Sequence, residues 1–130
     1  MSAAPDLLRA VTPLPGLPGH DEFSLTNLDD GGDVLFALRS TTGPDVRLLV
    51  VRPEVFFTDY APDVDGPTRT ALGIADSDEP LLLVVMNPGD AMAPGDVTVN
   101  LLAPLVINHA TGAATQFVLA GDWPLRARLM

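Results

Sequence analysis

The apolar and polar positions of this chain follow the periodicity of strands. Glu22-Phe23-Ser24-Leu25-Thr26 alternates polar and apolar at period two, which predicts a half-buried strand. Asp33–Arg39 and Val46–Val51 are apolar runs of strand length, and the connector Ser40-Thr41-Thr42-Gly43-Pro44-Asp45 is rich in turn formers, so a hairpin is expected between them. Leu81–Met86 predicts a fully buried strand closed by Asn87-Pro88-Gly89-Asp90. Ala114–Leu119 is another, with Thr111-Gly112 as the hairpin tip that joins it to Leu105–His109.

Helix signals are sparse because 13 prolines and 11 glycines leave few segments able to hold three turns. A short helical turn is expected at Pro67–Leu72, with Gly73 as its C-cap, and another after Trp123-Pro124. Residues 1–5, Ala61–Gly66 and the extreme C-terminus are expected to be exposed and flexible. The fold class expected is all-β: a small single-domain antiparallel β-barrel or sandwich-like fold over residues 1–130, with one or two short helical turns.

One stretch breaks the pattern. Val97–Asn108 reads VTVNLLAPLVIN, apolar throughout except for Thr98 and two asparagines, and interrupted at Ala103-Pro104. Asn and Pro each weaken a ladder of backbone hydrogen bonds, so this segment must bend or present something.

Composition narrows the function classes. At 130 residues with 47% hydrophobic and 18% charged residues, the chain has the make-up of one globular domain. No apolar run approaches the roughly 20 residues that span a bilayer, and no apolar h-region follows Arg9, so neither a membrane span nor a signal peptide is expected. The absence of cysteine excludes disulfides, a thiol nucleophile and thiolate metal ligands, and the expected location is the cytoplasm. Seventeen acidic residues against seven basic ones, all arginine, give a formal charge of −10. Such a chain repels nucleic acid, whose binding depends on neutralising phosphates, and attracts a basic protein with a salt-sensitive on-rate.

Catalytic chemistry is not apparent. His20 and His109 are far apart with no zinc-ligand spacing and read as turn residues. Ser2, Ser24, Ser40 and Ser77 sit in no Gly-x-Ser-x-Gly elbow, Gly31-Gly32 is a turn, and a phosphate-loop lysine is impossible in a chain without lysine. Asp63/Asp65 and Asp76/Asp78/Glu79 lack calcium-loop spacing and read as solvated acidic faces. The expectation is a non-enzymatic protein with no cofactor and no metal.

Four blocks recur in a recognisable order: Gly16-Leu17-Pro18-Gly19; Leu49-Val50-Val51-Arg52-Pro53-Glu54-Val55-Phe56-Phe57-Thr58-Asp59-Tyr60; Thr98-Val99-Asn100-Leu101-Leu102-Ala103-Pro104-Leu105-Val106-Ile107-Asn108; and Gln116-Phe117-Val118-Leu119. Together they resemble the flagellar assembly factor FliW family over about Gly16 to Leu125. The family shows a G-(L/I)-P-G-F turn, a V-x-P-x-x-F-F-x-D-Y block, an N-L-x-A-P-(I/L)-V-I-N block and a late Q-hydrophobic strand. His20 stands where that turn usually has phenylalanine, and Trp123-Pro124-Leu125 stands where an aromatic and a basic tail are more common.

The resemblance implies a cytoplasmic all-β binding protein with two partners, the translational regulator CsrA and flagellin. In the family, FliW sequesters CsrA, acting away from its RNA surface as an allosteric antagonist, and so relieves repression of flagellin translation. New flagellin then titrates FliW away. The candidate partner-binding residues are Asp59, Tyr60, Asp63, Asp65, Asp76, Asp78, Glu79, Asn100 and Asn108. The Asn100 and Asn108 amides either pair with a partner's strand edge or satisfy a bulge within the fold. Tyr60 is either an interface ring or a core anchor after Phe57. Of Phe56 and Phe57, one is expected in the core and the other exposed. Two other readings stay open: a small-ligand- or carbohydrate-binding β-barrel, which a deep pocket lined by Asn100 and Gln116 would favour, and a cation-dependent hydrolase built on the acidic clusters.

Overall fold

A computed structural model describes residues 7–11, 21–28, 34–41, 47–60, 62, 64–75, 79–87, 97–119, 123–124 and 126–128. Within them lie strands β1 (Leu7–Ala10), β2 (Glu22–Asn27), β3 (Leu35–Ser40), β4 (Arg47–Val51), β5 (Leu81–Asn87), β6 (Thr98–Val99), β7 (Leu105–Ile107), β8 (Ala113–Gln116) and β9 (Ala127–Arg128). A 3-10 turn covers Pro53–Val55, and one α-helix, α1, covers Gly66–Leu72. The strands run β4-β3-β2-β1-β8-β7-β5, and β5 pairs again with β4, closing a seven-stranded barrel. β6 and β9 extend the sheet from one edge of β5. Closure satisfies the strand edges that an open sheet would leave unpaired.

Alternation fills the interior. Phe23 and Leu25 of β2, Phe36 and Leu38 of β3, Leu81 and Leu83 of β5, and Leu105 and Ile107 of β7 meet in one buried cluster with Leu8, Val50 and Ala114. The pairings Leu81↔Ile107 and Leu83↔Leu105 put these residues side by side, while Leu82↔Val106 faces the other way. In β2, where only Phe23 and Leu25 are buried, a one-residue slip would turn both out of the core, so burial fixes the register there.

β5 and β7 do not alternate because both of their faces are covered. On the outer face, Leu82 and Val106 lie beneath α1, against Leu72, Val64 and Ile74. Further along β5, Val84 joins Val51, Tyr60, Val99, Leu101 and Leu119 in a second outer cluster. A strand buried on both sides reads as an unbroken apolar run, which is what LLLVVM shows.

Several expectations are revised. Val64 is buried at 7% exposure and Asp65 caps α1, its carboxylate accepting from Thr68 N–H at 2.9 Å, so this part of Ala61–Gly66 is anchored. The helical turn expected after Trp123-Pro124 is replaced by β9, because the free edge of β6 supplies ladder partners for Ala127 and Arg128 that a single isolated turn would lack. The strand expected over Ala114–Leu119 ends at Gln116. β1 went unanticipated, and its pairing with β8 is parallel, at Arg9↔Ala113 and Ala10↔Ala114, since no hairpin joins these strands from opposite ends of the chain. The hairpin tip at Thr111-Gly112 is present, as are α1 and its left-handed cap Gly73 at φ 72°. Residues 1–5 and the Gly16–His20 turn lie outside the described residues. Among those described, no helix is long and apolar enough to cross a membrane.

Gly112 carries the β1–β8 closure. Its φ is +81°, and a Cβ there would sit 2.3 Å from the Leu7 carbonyl oxygen, while its own carbonyl accepts from Arg9 N–H at 2.8 Å. Both the positive φ and the backbone approach exclude a side chain. Gly112→Ala is expected to lower stability by about 2–3 kcal/mol, read as a reduced midpoint in urea unfolding. An unchanged midpoint would show that the seam adapts.

Candidate partner-binding face

The interrupted stretch 97–108 crosses one edge of β5 in two registers. Met86 pairs with Val99 and Leu83 with Leu105. Between these pairs the 97–108 segment advances six residues and β5 only three, so the extra length is extruded at Asn100–Pro104.

Every step of this extrusion is tied down. Asn100 N–H still donates to Val85 O at 3.0 Å, and the Asn100 Oδ1 accepts from the Leu102 and Ala103 N–H groups, both at 3.1 Å. Leu101 N–H donates to Pro124 O at 3.0 Å, and Leu101 O accepts the Tyr60 hydroxyl at 2.7 Å. Leu102 O accepts from Leu119 N–H, Ala103 O from the Gln116 Nε2, and Pro104 O from Phe117 N–H, at 2.8, 2.9 and 3.0 Å. Buried backbone groups without partners cost about 1–3 kcal/mol each, and here the partners come from four other parts of the chain: Tyr60, Val85, Gln116–Leu119 and Pro124.

The Val51–Tyr60 block supplies the key donor. Pro53 opens the 3-10 turn and is fully buried, its carbonyl accepting from Phe56 and Phe57 N–H at 3.0 and 2.8 Å. Phe57 packs against the second cluster, and its carbonyl accepts from Tyr60 N–H at 2.9 Å. Tyr60 is 7% exposed, and its ring meets Trp123 edge-on, with centroids 4.8 Å apart and planes at 87°. Burial pushes its hydroxyl up from 10.0 to about 12, keeping it a neutral donor.

The hydrogen-bonding side chains named from the sequence therefore face inward. Tyr60 is a core anchor, and the Asn100 Oδ1 holds the extrusion. Asn108 ties α1 to the barrel: its Nδ2 donates to Leu72 O at 2.9 Å and Gly73 O at 3.3 Å, and its Oδ1 accepts from Ala110 N–H. These are the last carbonyls of the helix, which need partners from outside it. Asn100 and Gln116 address backbone rather than a deep pocket, and the barrel interior is filled by Phe23, Phe36, Leu38, Leu83, Leu105 and Ile107.

The acidic candidates that the structure describes face outward. Asp59, Asp65 and Glu79 are exposed, whereas Asp63, Asp76 and Asp78 lie outside the described residues. Thr68, through its hydroxyl and its amide, holds the Asp65 carboxyl below the usual carboxylate value. Glu79 edges a groove of about 390 Å³ between the 3-10 turn, α1 and the start of β5, shared with Tyr60, Val64, Glu54, Arg52 and Arg69. Arg52 lies 3.9 Å from Glu54, and the Arg69 guanidinium donates to Ala75 O, so the groove mixes both signs of charge. Among the described residues, no cluster of three or more His or carboxylate groups could hold a metal ion. Two contributors take roles the sequence did not indicate: Trp123, read there as the start of a turn and a departure from a pattern, packs on Tyr60, and Gln116, read there as possible pocket lining, donates to Ala103 O, an acceptor set by the extrusion itself.

Known proteins share both sequence and fold. The family model described as "FliW protein" matches residues 2–129. The flagellar assembly factor FliW of Symbiobacterium thermophilum is 32% identical over 110 residues, 82% of this chain and 76% of that one. FliW 2 of Desulfotalea psychrophila is 34% identical over 119 residues, covering 90% and 75%. A crystal structure of the flagellar assembly factor FliW superposes with a TM-score of 0.85 at 27% identity, covering 96% of this chain and 86% of that one.

Tyr60→Phe would leave Leu101 O without its donor at a cost of about 1–3 kcal/mol, lowering the melting temperature by several degrees. A folded-state pKa raised above the unfolded one gives stability that is full below pH 10 and lost as pH climbs towards 12. Tyr60 is the chain's one tyrosine, so tyrosinate absorbance should rise together with unfolding in that window. A hydroxyl that titrates near 10 with the fold intact would contradict this role.

Proposed function

This chain belongs to the FliW family of flagellar assembly factors, and on that footing we propose that it binds a CsrA-type translational regulator as an antagonist and binds flagellin, coupling flagellin level to flagellin translation. The observation that carries this reading is the family match over residues 2–129, nearly the whole chain. It acts by binding rather than catalysis, needs no cofactor, and works in the cytoplasm.

Charge supports the choice of partner. An RNA-binding regulator is basic, so a chain of net charge −10 meets it quickly while being excluded from RNA itself. Asp59, Asp65 and Glu79 are the exposed carboxylates proposed to steer the encounter, with Asp63, Asp76 and Asp78 as sequence neighbours in the same acidic segments. Tyr60, Asn100 and Asn108 contribute by holding the backbone that shapes this face. Exchange of one partner for the other requires only overlapping sites, or a coupling free energy of about 1–3 kcal/mol between separate ones.

Titration calorimetry of the purified chain against its cognate regulator and against flagellin tests the reading. Saturable binding of one regulator chain per protomer is expected, weakened about tenfold between low salt and 0.5 M salt. Absence of heat with both partners would overturn it.

A further inference from the structure

A folded domain places large apolar side chains at its surface singly, so adjacent exposed ones on a rigid base invite a partner. Val55 and Phe56 are 51% and 42% exposed. They stand on the 3-10 turn, where Val55 N–H donates to Arg52 O and Phe56 N–H to Pro53 O. Pro53 beneath them is fully buried, and Phe57 and Tyr60 just after them are fixed in the second cluster. Val118, also exposed, sits between Phe117 and Leu119 of that same cluster. The exposed pair is thus ordered before any partner arrives, and an aromatic ring held this way loses little entropy on binding.

The charges beside it select the partner. Glu54 and Asp59, which flank the pair in sequence, are both exposed, and the neighbouring cation, Arg52, is largely covered and lies against Glu54. An exposed ring on a turn that also carries exposed carboxylates suits an arginine or lysine that stacks on its face, with aliphatic side chains beside it. It disfavours an acidic surface.

We propose that Val55 and Phe56 form the apolar anchor on which a basic protein surface docks, with Glu54 and Asp59 supplying the flanking negative charge. This rests on the reading that the chain binds a basic regulator, and it names the part of this chain that carries the contact.

The test titrates the regulator into the full chain and into Phe56→Ser, Val55→Ser and Leu28→Ser, with melting temperatures measured for each. Leu28 is an exposed apolar residue at the end of β2 and serves as the control for general surface hydrophobicity. Phe56→Ser and Val55→Ser are expected to weaken binding about tenfold or more with little change in melting temperature, and Leu28→Ser to bind like the unaltered chain. Should Phe56→Ser fail to fold, Val55→Ser decides by the same criterion. Unaltered affinity in the folded anchor variants, or equal loss in Leu28→Ser, overturns the anchor and leaves the regulator reading standing. If the unaltered chain itself does not bind, both fall.

Discussion

The Tyr60 hydroxyl on the Leu101 carbonyl is the contact on which the outer half of this structure depends. Seven strands close the barrel without it, but β5 must then shift from one partner register to another along a single edge. The residues displaced by that shift carry backbone donors and acceptors that no ladder can satisfy. Tyr60, Asn100 and Gln116 provide for them from side chains, while Val85, Pro124, Phe117 and Leu119 do so from backbone. Because Tyr60 also seals the second cluster with Trp123, one side chain joins polar satisfaction to apolar burial.

This arrangement separates what holds the fold from what faces outward. The motif positions with hydrogen-bonding side chains, Tyr60, Asn100, Asn108 and Gln116, turn them to backbone groups of the same chain. The residues left at the surface, Glu54, Val55, Phe56 and Asp59, occur inside one of the same motif blocks because the turn that positions them is built by Pro53 and Phe57. A surface positioned in this way is rigid, which favours recognition by reducing the entropy lost on binding.

Much of the barrel was legible in the chain. Period-two alternation located β2 because its inward and outward faces differ chemically, and apolar runs of strand length located β3, β4 and β5, the last covered on both faces. The cap at Gly73 and the hairpin tip at Gly112 were legible because only a left-handed backbone makes glycine necessary at those points. β1 and β9 escaped notice because four- and two-residue strands carry too little pattern, and their places are fixed by β8 and β6, distant in sequence. The asparagines of the interrupted strand announced a break, but their acceptors and donors follow from a register shift between two strands that no local pattern encodes. For the same reason the sequence left Tyr60 open as interface or core, and its partner, Leu101, is 41 residues away.

Asn100–Pro104 is a fixed part of the architecture and not a mobile loop. Native-state hydrogen exchange at the Leu102 and Ala103 amides, the two that donate to the Asn100 side chain, tests it most directly. Both amides are expected to be protected to a degree comparable with the β5–β7 ladder amides. Exchange at the rate of an unstructured peptide, with the ladder still protected, would contradict it.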